Sequence, residues 1–260
     1  MRAIILAAGL GVRMRQGQEQ QLPKCLLSFN GRSLLERHLR LLREAGVDEV
    51  VLALGFRHEL VTAELTRLQW QPPPQIVINP HYERGSVLTV HTVAAALQAG
   101  GDVLLMDADV LYDERILGAL VAGPEPVNRL LVDRAFEAGD EPVKVCVRDG
   151  VPIELRKRPA AGLQYDTIGE SIGFFRLNAA AARRLTQLVA GYVQAGRDDL
   201  PHEEAVRDLL LERGREFEVS DVTGAPWIEI DFPADVTRAV DEVLPQLSAA
   251  GDLEPLATAL

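Results

Sequence analysis

The stretch RAIILAAGLGVRMRQGQEQQLPKCLL, Arg2–Leu27, decides how the rest of the chain is read. Ile4, Ile5 and Leu6 form the short apolar run expected of a strand buried on both faces. Ala7, Ala8, Gly9 and Gly11 then carry almost no side chain, so backbone N–H groups can approach a ligand closely. Arg13 adds a fixed positive charge and Lys24 a second. A buried strand, a small-residue loop and two cations suit a nucleoside triphosphate. Gly9 and Gly11 alone would equally suit an ordinary strand-to-helix turn.

The 260 residues suffice for one large α/β domain or two small ones. A composition of 47% hydrophobic and 25% charged residues is that of a globular protein with a sizeable core. The formal net charge of -11 argues against nucleic acid as a partner and against a basic membrane-binding face. Local cations and a metal, not the net charge, govern a phosphate site. Cys25 and Cys146 have neither metal-ligand spacing nor a disulfide framework, and Cys25 reads as a small buried hydrophobe. No apolar run approaches the length of a membrane span, and the first apolar stretch is too short for a secretory signal, so a cytoplasmic location is expected.

Outward from the opening stretch, strand and helix patterns alternate. Ser33 with Glu36 has the form of a capping box before Leu35, Leu39 and Leu42, and Gly46 stops that helix. Strands are expected at 47–54, 76–78 and 103–106, with helices at 57–68 and 87–97 between them. The middle changes character, with strands at 129–132, 142–148, 151–156 and 168–176 and little helix. Helices at 178–195 and 201–211, strands at 217–219 and 227–231, and a last helix at 233–244 complete the pattern; 245–260 reads as a short helix or packing tail. The fold class that follows is α/β: a Rossmann-like, mixed but mainly parallel sheet flanked by helices, with a smaller antiparallel region. One domain is expected, with a nucleotide-binding half (1–125), an acceptor-binding and second metal-ligand part (126–232) and a C-terminal helix and tail (233–260).

In such sheets ligands gather beyond the carboxyl ends of the strands, where the glycine loop, Asn79, Asp107 and Asp109 fall. Asp109 closes a buried strand, either as a turn or cap residue or as a metal ligand. Asp107, two residues earlier, is expected on the opposite face. Glu229 and Asp231 in WIEID share a strand face; they need a cation, or else Glu229 faces water and Asp231 caps the last helix. Ser86 opens a helix, as its N-cap or beside an anion or base edge. Arg156-Lys157-Arg158 is a basic triplet at a strand end. Tyr82, Phe174 and Trp227 are either an aromatic wall for a quaternary amine or core. Glu203 and Glu204 favour a helix dipole or hold a cationic headgroup. His38 is expected on the exposed side of its helix, and the five histidines form no ligand pattern.

The string Leu6–Met14 with Pro23-Lys24 resembles the nucleotidyltransferases that make activated sugars and alcohols. The forms WIEID and GESIGF are most similar to the cytidylyltransferase branch acting on phosphocholine and aminoalkylphosphonates. The resemblance implies the nucleotide-diphospho-sugar transferase type of fold. It also implies that Leu6, Ala7, Ala8, Gly9, Gly11, Asn79 and Ser86 bind the nucleotide, that Arg13 grips pyrophosphate and that Lys24 contacts the phosphates. Mg²⁺ would sit on Asp109, Glu229 and Asp231. Tyr82, Lys157 (or Arg158), Glu170 and Trp227 would bind the acceptor. Where the phosphocholine branch carries a pair of asparagines, this chain has Arg84-Gly85.

The implied reaction is in-line attack of a phosphate or phosphonate oxygen on the α-phosphorus of CTP, with pyrophosphate leaving. The acceptor would be phosphocholine, 2-aminoethylphosphonate or a similar compound. An acceptor already ionised at neutral pH needs no general base, so catalysis reduces to positioning and charge neutralisation. Three alternatives stand beside it. One is a sugar-1-phosphate acceptor with UTP, dTTP or GTP. Another is a metal-dependent glycosyltransferase using Asp107-Ala108-Asp109 as a DxD element, and the third a catalytically silent nucleotide-binding relative. Nucleic-acid and membrane partners are not expected, and a homodimer is compatible with the chain but marked by no apolar stripe.

Overall fold

The computed structural model describes residues 1–14 and 22–247. The expected tail of 245–260 therefore falls mostly outside the described residues. The chain begins with β1 (Arg2–Ala7), and Ser28–Phe29 (β2) and Arg32–Ser33 (β3) form a small hairpin over Asn30-Gly31. Ser33 opens α1 (Leu34–Glu44) as its N-cap, its hydroxyl accepting the Glu36 N–H at 3.1 Å, while the Glu36 carboxylate accepts from Arg40 at 2.9 Å. Then come β4 (Glu49–Leu54), α2 (His58–Arg67), β5 (Gln75–Ile78), α3 (Ser86–Thr92), α4 (Ala94–Gln98), β6 (Val103–Asp107), β7 (Val110–Tyr112) and α5 (Glu114–Val121). The second half runs β8 (Asn128–Asp133), β9 (Lys144–Arg148), β10 (Val151–Arg156), β11 (Thr167–Leu177), α6 (Ala179–Gln194), α7 (Glu203–Arg213), β12 (Phe217–Asp221), β13 (Trp227–Glu229) and α8 (Pro233–Arg238).

β1 lies in the middle of the main sheet, whose order is β10-β9-β11-β6-β1-β4-β5, with β8 on β11 and β12 on β8. β1 pairs in parallel with β4 and β6, and β4 with β5. β11 is antiparallel to β6, β8 and β9, so the second half joins the first through one long strand. Alternation along β1 builds both faces of the core. Ala3, Ile5 and Ala7 pack toward Leu35, Leu39 and Leu42 of α1 and Ile116, Leu117 and Leu120 of α5. Ile4 faces Val87 and Val90 of α3, Leu185 and Val189 of α6, and Leu209 and Leu210 of α7. Burial on both sides explains the unbroken apolar run in the sequence.

A buried ion pair locks β11 to the rest. Arg176 donates to Asp102 at 2.9 Å, with side chains 0% and 2% exposed, and Nη1 also reaches the carbonyls of Val121 and Ala122. Three local expectations are corrected. His38 is fully buried, with Nδ1 3.2 Å from the Tyr112 hydroxyl and Nε2 3.3 Å from the Ala108 carbonyl oxygen. Burial, only partly opposed by that carbonyl, lowers its pKa to about 4. The helix expected over 87–97 breaks at Val93, after Thr92 turns its hydroxyl back to the Thr89 carbonyl. The last helix widens into a π turn at Ala239–Val243, so α8 is one short segment of it. Of the two readings of Phe174, the core one holds: it is fully buried and edge-on to Tyr112.

Candidate functional site

A cleft of about 390 Å³ opens at the carboxyl ends of β1 and β6. Its floor is Leu6–Val12, and its sides carry Lys24, Tyr82, Ser86, Asp107, Asp109, His202, Glu203 and Glu229. The glycine loop, Arg13 and Lys24 thus belong to one end of the sheet. Arg13 donates to Asp231 at 2.7 Å. Lys24 Nζ stands between Asp109 (2.8 Å) and Asp231 (2.6 Å). Burial alone would lower the Lys24 pKa, but the two carboxylates outweigh it and hold the ammonium charged far into the basic range.

β7 and β13 bring the second acidic segment to the first, with Glu229 opposite Val110 in an antiparallel pair. Oxygen atoms of Asp109, Glu229 and Asp231 lie within 4.8 Å of one another. Removal from water, then repulsion from Asp109 and Asp231, raises the Glu229 pKa well above the usual carboxylate range. Asp231 behaves oppositely: burial works against its charge, but Lys24 and Arg13 prevail and lower its pKa. Asp231 does not cap the last helix. Asp235 does so, accepting the N–H groups of Asp231 and Phe232, which leaves the Asp231 carboxylate to the cations.

Asp107 departs from the expected geometry. β6 ends at Asp107 and the chain bends at Ala108-Asp109, so strand alternation stops and both aspartates line the cleft. Gly173, at φ +77°, makes room for it: a Cβ there would lie 2.5 Å from Asp107 Oδ2. Burial, then Glu203 and Asp109, drives the Asp107 carboxyl well upward.

A second hollow of about 430 Å³ adjoins the acidic cluster. Asp133, Glu137, Asp140, Glu141, Glu170, Trp227, Asp231, Asp235 and Arg238 line it. The Trp227 indole N–H donates to Asp133 at 2.8 Å, fixing the ring against the hollow. Burial, followed by Asp133, raises Glu170 to about 7. Lys157 stands at the rim: it pairs with Glu141 at 3.0 Å, and Glu141 lies 3.2 Å from Arg13. Arg158 turns outward to Asp140.

Four expected residues depart from the expected place or role. Asn79 is fully buried and spends its side chain on Thr89 (3.1 Å) and the His81 N–H (2.9 Å), so it does not reach the cleft. Tyr82, implied as an acceptor contact, lines the glycine-loop cleft, whereas Glu170 and Trp227 lie in the second hollow. Ser86 is not the N-cap of α3, because Gly85 is, and its hydroxyl engages His202. Glu204 is tied to Arg156 at 2.6 Å and is unavailable to a headgroup. Sequence reasoning missed His202 and the acids Asp133 and Glu137, which sit on segments with no motif of their own.

A model of the MobA-like NTP transferase domain matches residues 3–163. The CTP:phosphoglutamine cytidylyltransferase of Campylobacter jejuni is 23% identical over 267 aligned residues, taking in 93% of this chain and 100% of that protein. The CMP-5'-(3-aminopropyl)phosphonate synthase of Streptomyces rubellomurinus is 28% identical over 92% of this chain, which spans only 38% of that longer protein. Among solved structures, the inositol-1-phosphate CTP transferase of T. maritima superposes with a TM-score of 0.73 at 21% identity, covering 95% of this chain and 97% of that one. That likeness bears on the fold, a mainly parallel sheet flanked by helices of the nucleotide-diphospho-sugar transferase type.

Proposed function

The chain belongs to the MobA-like NTP transferase family and is a nucleotidyltransferase, and from that premise we propose that it transfers CMP from CTP to a small amine-bearing phosphate or phosphonate. The observation that carries the reading is Lys24, poised between Asp109 and Asp231 in front of the glycine loop. An acceptor oxygen attacks the α-phosphorus, the bond from that phosphorus to the bridging oxygen breaks, and pyrophosphate departs with the bridging oxygen. The acceptor is already ionised, so its oxygen needs no base. Lys24 neutralises charge on the reacting phosphates, Arg13 stabilises the leaving pyrophosphate, and the loop Leu6–Val12 offers backbone N–H groups to the polyphosphate.

Asp109, Glu229 and Asp231 form an all-oxygen donor set suited to Mg²⁺, which when bound neutralises phosphate charge. The strong upward pressure on Glu229 supports this fit, because three crowded carboxyls need a cation to be ionised together. The second hollow supports the choice of acceptor. Asp133, Glu137 and Glu170 outnumber Arg238 there and would attract an ammonium group, while Lys157 at the rim is suited to the acceptor's phosphate.

The test is pyrophosphate release, measured with CTP, UTP, dTTP and GTP against phosphocholine, 2-aminoethylphosphonate, 3-aminopropylphosphonate, phosphorylated glutamine, inositol 1-phosphate and a hexose 1-phosphate. Release confined to CTP with an amine-bearing acceptor is expected. Turnover only with the hexose phosphate would replace the reading with a sugar nucleotidyltransferase.

A further inference from the structure

One wall of the nucleotide cleft has no task in the chemistry above. Pro201, His202 and Glu203 reach it at the start of α7, outside residues 3–163 matched by the family model. Gly85 allows the approach. Its N–H donates to the Asp198 carbonyl at 3.1 Å, the Val87 N–H donates to the Leu200 carbonyl at 3.2 Å, and a Cβ at position 85 would collide with the Asp199–Leu200 backbone.

Ser86 completes the joint. Its hydroxyl oxygen accepts the His202 backbone N–H at 2.8 Å, and its own proton is then directed to His202 Nδ1 at 3.1 Å. The imidazole proton is assigned to Nε2 on that network. The His202 side chain is 5% exposed, and its Nε2 has no hydrogen-bond partner; Asp107 Oδ1 is 3.8 Å away. Glu203 Oε2 lies 3.1 Å from His202 Nδ1 and likewise accepts no hydrogen bond. Among the described residues, no lysine or arginine pairs with Glu203.

The charges decide which part of a nucleotide this wall can take. Arg13 and Lys24 mark the phosphate end of the cleft. Glu203 would repel phosphate and accept from hydrogen-bond donors. Cytosine carries an exocyclic amine where uracil carries a carbonyl oxygen, and a carboxylate accepts from that amine. We propose that Glu203, carried to the cleft by the joint between the Ser86 hydroxyl and the His202 backbone N–H, selects cytosine over uracil by accepting a hydrogen bond from the exocyclic amine. Uracil sets two acceptors against each other at the same point.

The inference rests on CTP being the donor, and its test separates the two. Dissociation constants for CTP, UTP and dCTP are measured by calorimetry without acceptor, on the wild-type chain, Glu203→Gln and Glu203→Asp, with thermal unfolding as the folding control. A Gln amide turns either way, so Glu203→Gln is expected to reduce the CTP-over-UTP ratio about tenfold or more at unchanged melting temperature, while Glu203→Asp retains part of it. Ser86→Ala, which removes the acceptor of the His202 backbone N–H, should shift the same ratio without altering the preference for CTP over dCTP. An unchanged ratio in Glu203→Gln would overturn the inference. So would an equal loss for CTP and UTP with an altered dCTP preference, which would assign Glu203 to the ribose. A wild-type chain that binds nucleotides without preference overturns this inference but leaves nucleotidyl transfer standing; one that binds no nucleotide overturns both.

Discussion

The glycine-loop cleft and the acidic hollow meet at Glu229, which lines both, yet they are built on opposite principles. The cleft is floored by a contiguous loop at the end of β1 and armed with cations near it in sequence. The hollow is assembled from 133–142, β11, β13 and α8, and almost every ionisable group in it is an acid. A polyphosphate ligand calls for the first arrangement and a cationic ligand for the second. Their juncture is where an anionic centre must be neutralised, and Lys24 stands there.

The largest expected effect breaks the cation side of this contrast. Lys24→Ala should lower kcat for pyrophosphate release by about 10²–10³ or more, since it removes one preorganised charge at the reacting phosphates. Arg13→Ala should fall in the same range; near-normal turnover in either would end the assignment. Next in size is the acidic cluster where the two meet. Asp231→Asn should remove most activity, and chelation of divalent ions from the wild-type protein should do so reversibly, with recovery on adding Mg²⁺.

A smaller and more selective loss is expected in the hollow. Glu170→Gln should raise KM for an amine-bearing acceptor roughly tenfold, the scale of one charge-assisted hydrogen bond, and leave KM for the nucleotide unchanged. Equal rises in both constants would erase the distinction between the two regions. The pH dependence sharpens it further. Glu170 has its carboxyl raised to about 7, mainly by burial, so below that pH it is neutral and a poor partner for ammonium. KM for the amine should therefore fall as pH rises through about 7, and Glu170→Gln should flatten that dependence. The linkage to stability has the opposite sign. Because the folded chain holds this proton more tightly than the unfolded one, the Glu170 contribution to stability declines as pH rises from the ordinary carboxylate pKa through about 7. Melting temperatures of wild type and Glu170→Gln across that window should converge at the acidic end.

Much of the fold was legible because its signals are local. The run Ile4–Leu6 announces burial on both faces, the Ser33/Glu36 pair marks a helix start, and Gly46 marks its stop. Those signals fail where a distant partner intervenes. His38 occupies a polar position on its helix by pattern, but Tyr112 and the Ala108 carbonyl supply its hydrogen bonds and bury it. Asn79 was expected at the ligand because of its place after a strand, whereas Thr89 and His81 consume its side chain. Ser86 is in the cleft as expected, but its partner His202 is 116 residues away. No spacing rule reaches across that interval.

By itself the sequence determined the strand-and-loop phosphate cradle, the alternation that makes a mainly parallel sheet, and the acids Asp109, Glu229 and Asp231 as a set to be examined together. Each depends on neighbours within a few residues or on the resemblance those residues carry. Tertiary structure alone decided that Asp107 turns into the cleft, because the bend at Ala108-Asp109 and the missing Cβ of Gly173 are properties of packed backbone. It also decided that Lys24 bridges two acids from separate segments, and that Gly85 admits the segment bearing His202 and Glu203. The physical reason is common to all three. Electrostatic and steric complementarity act over ångströms in space, and chain order carries no record of which surfaces folding will press together.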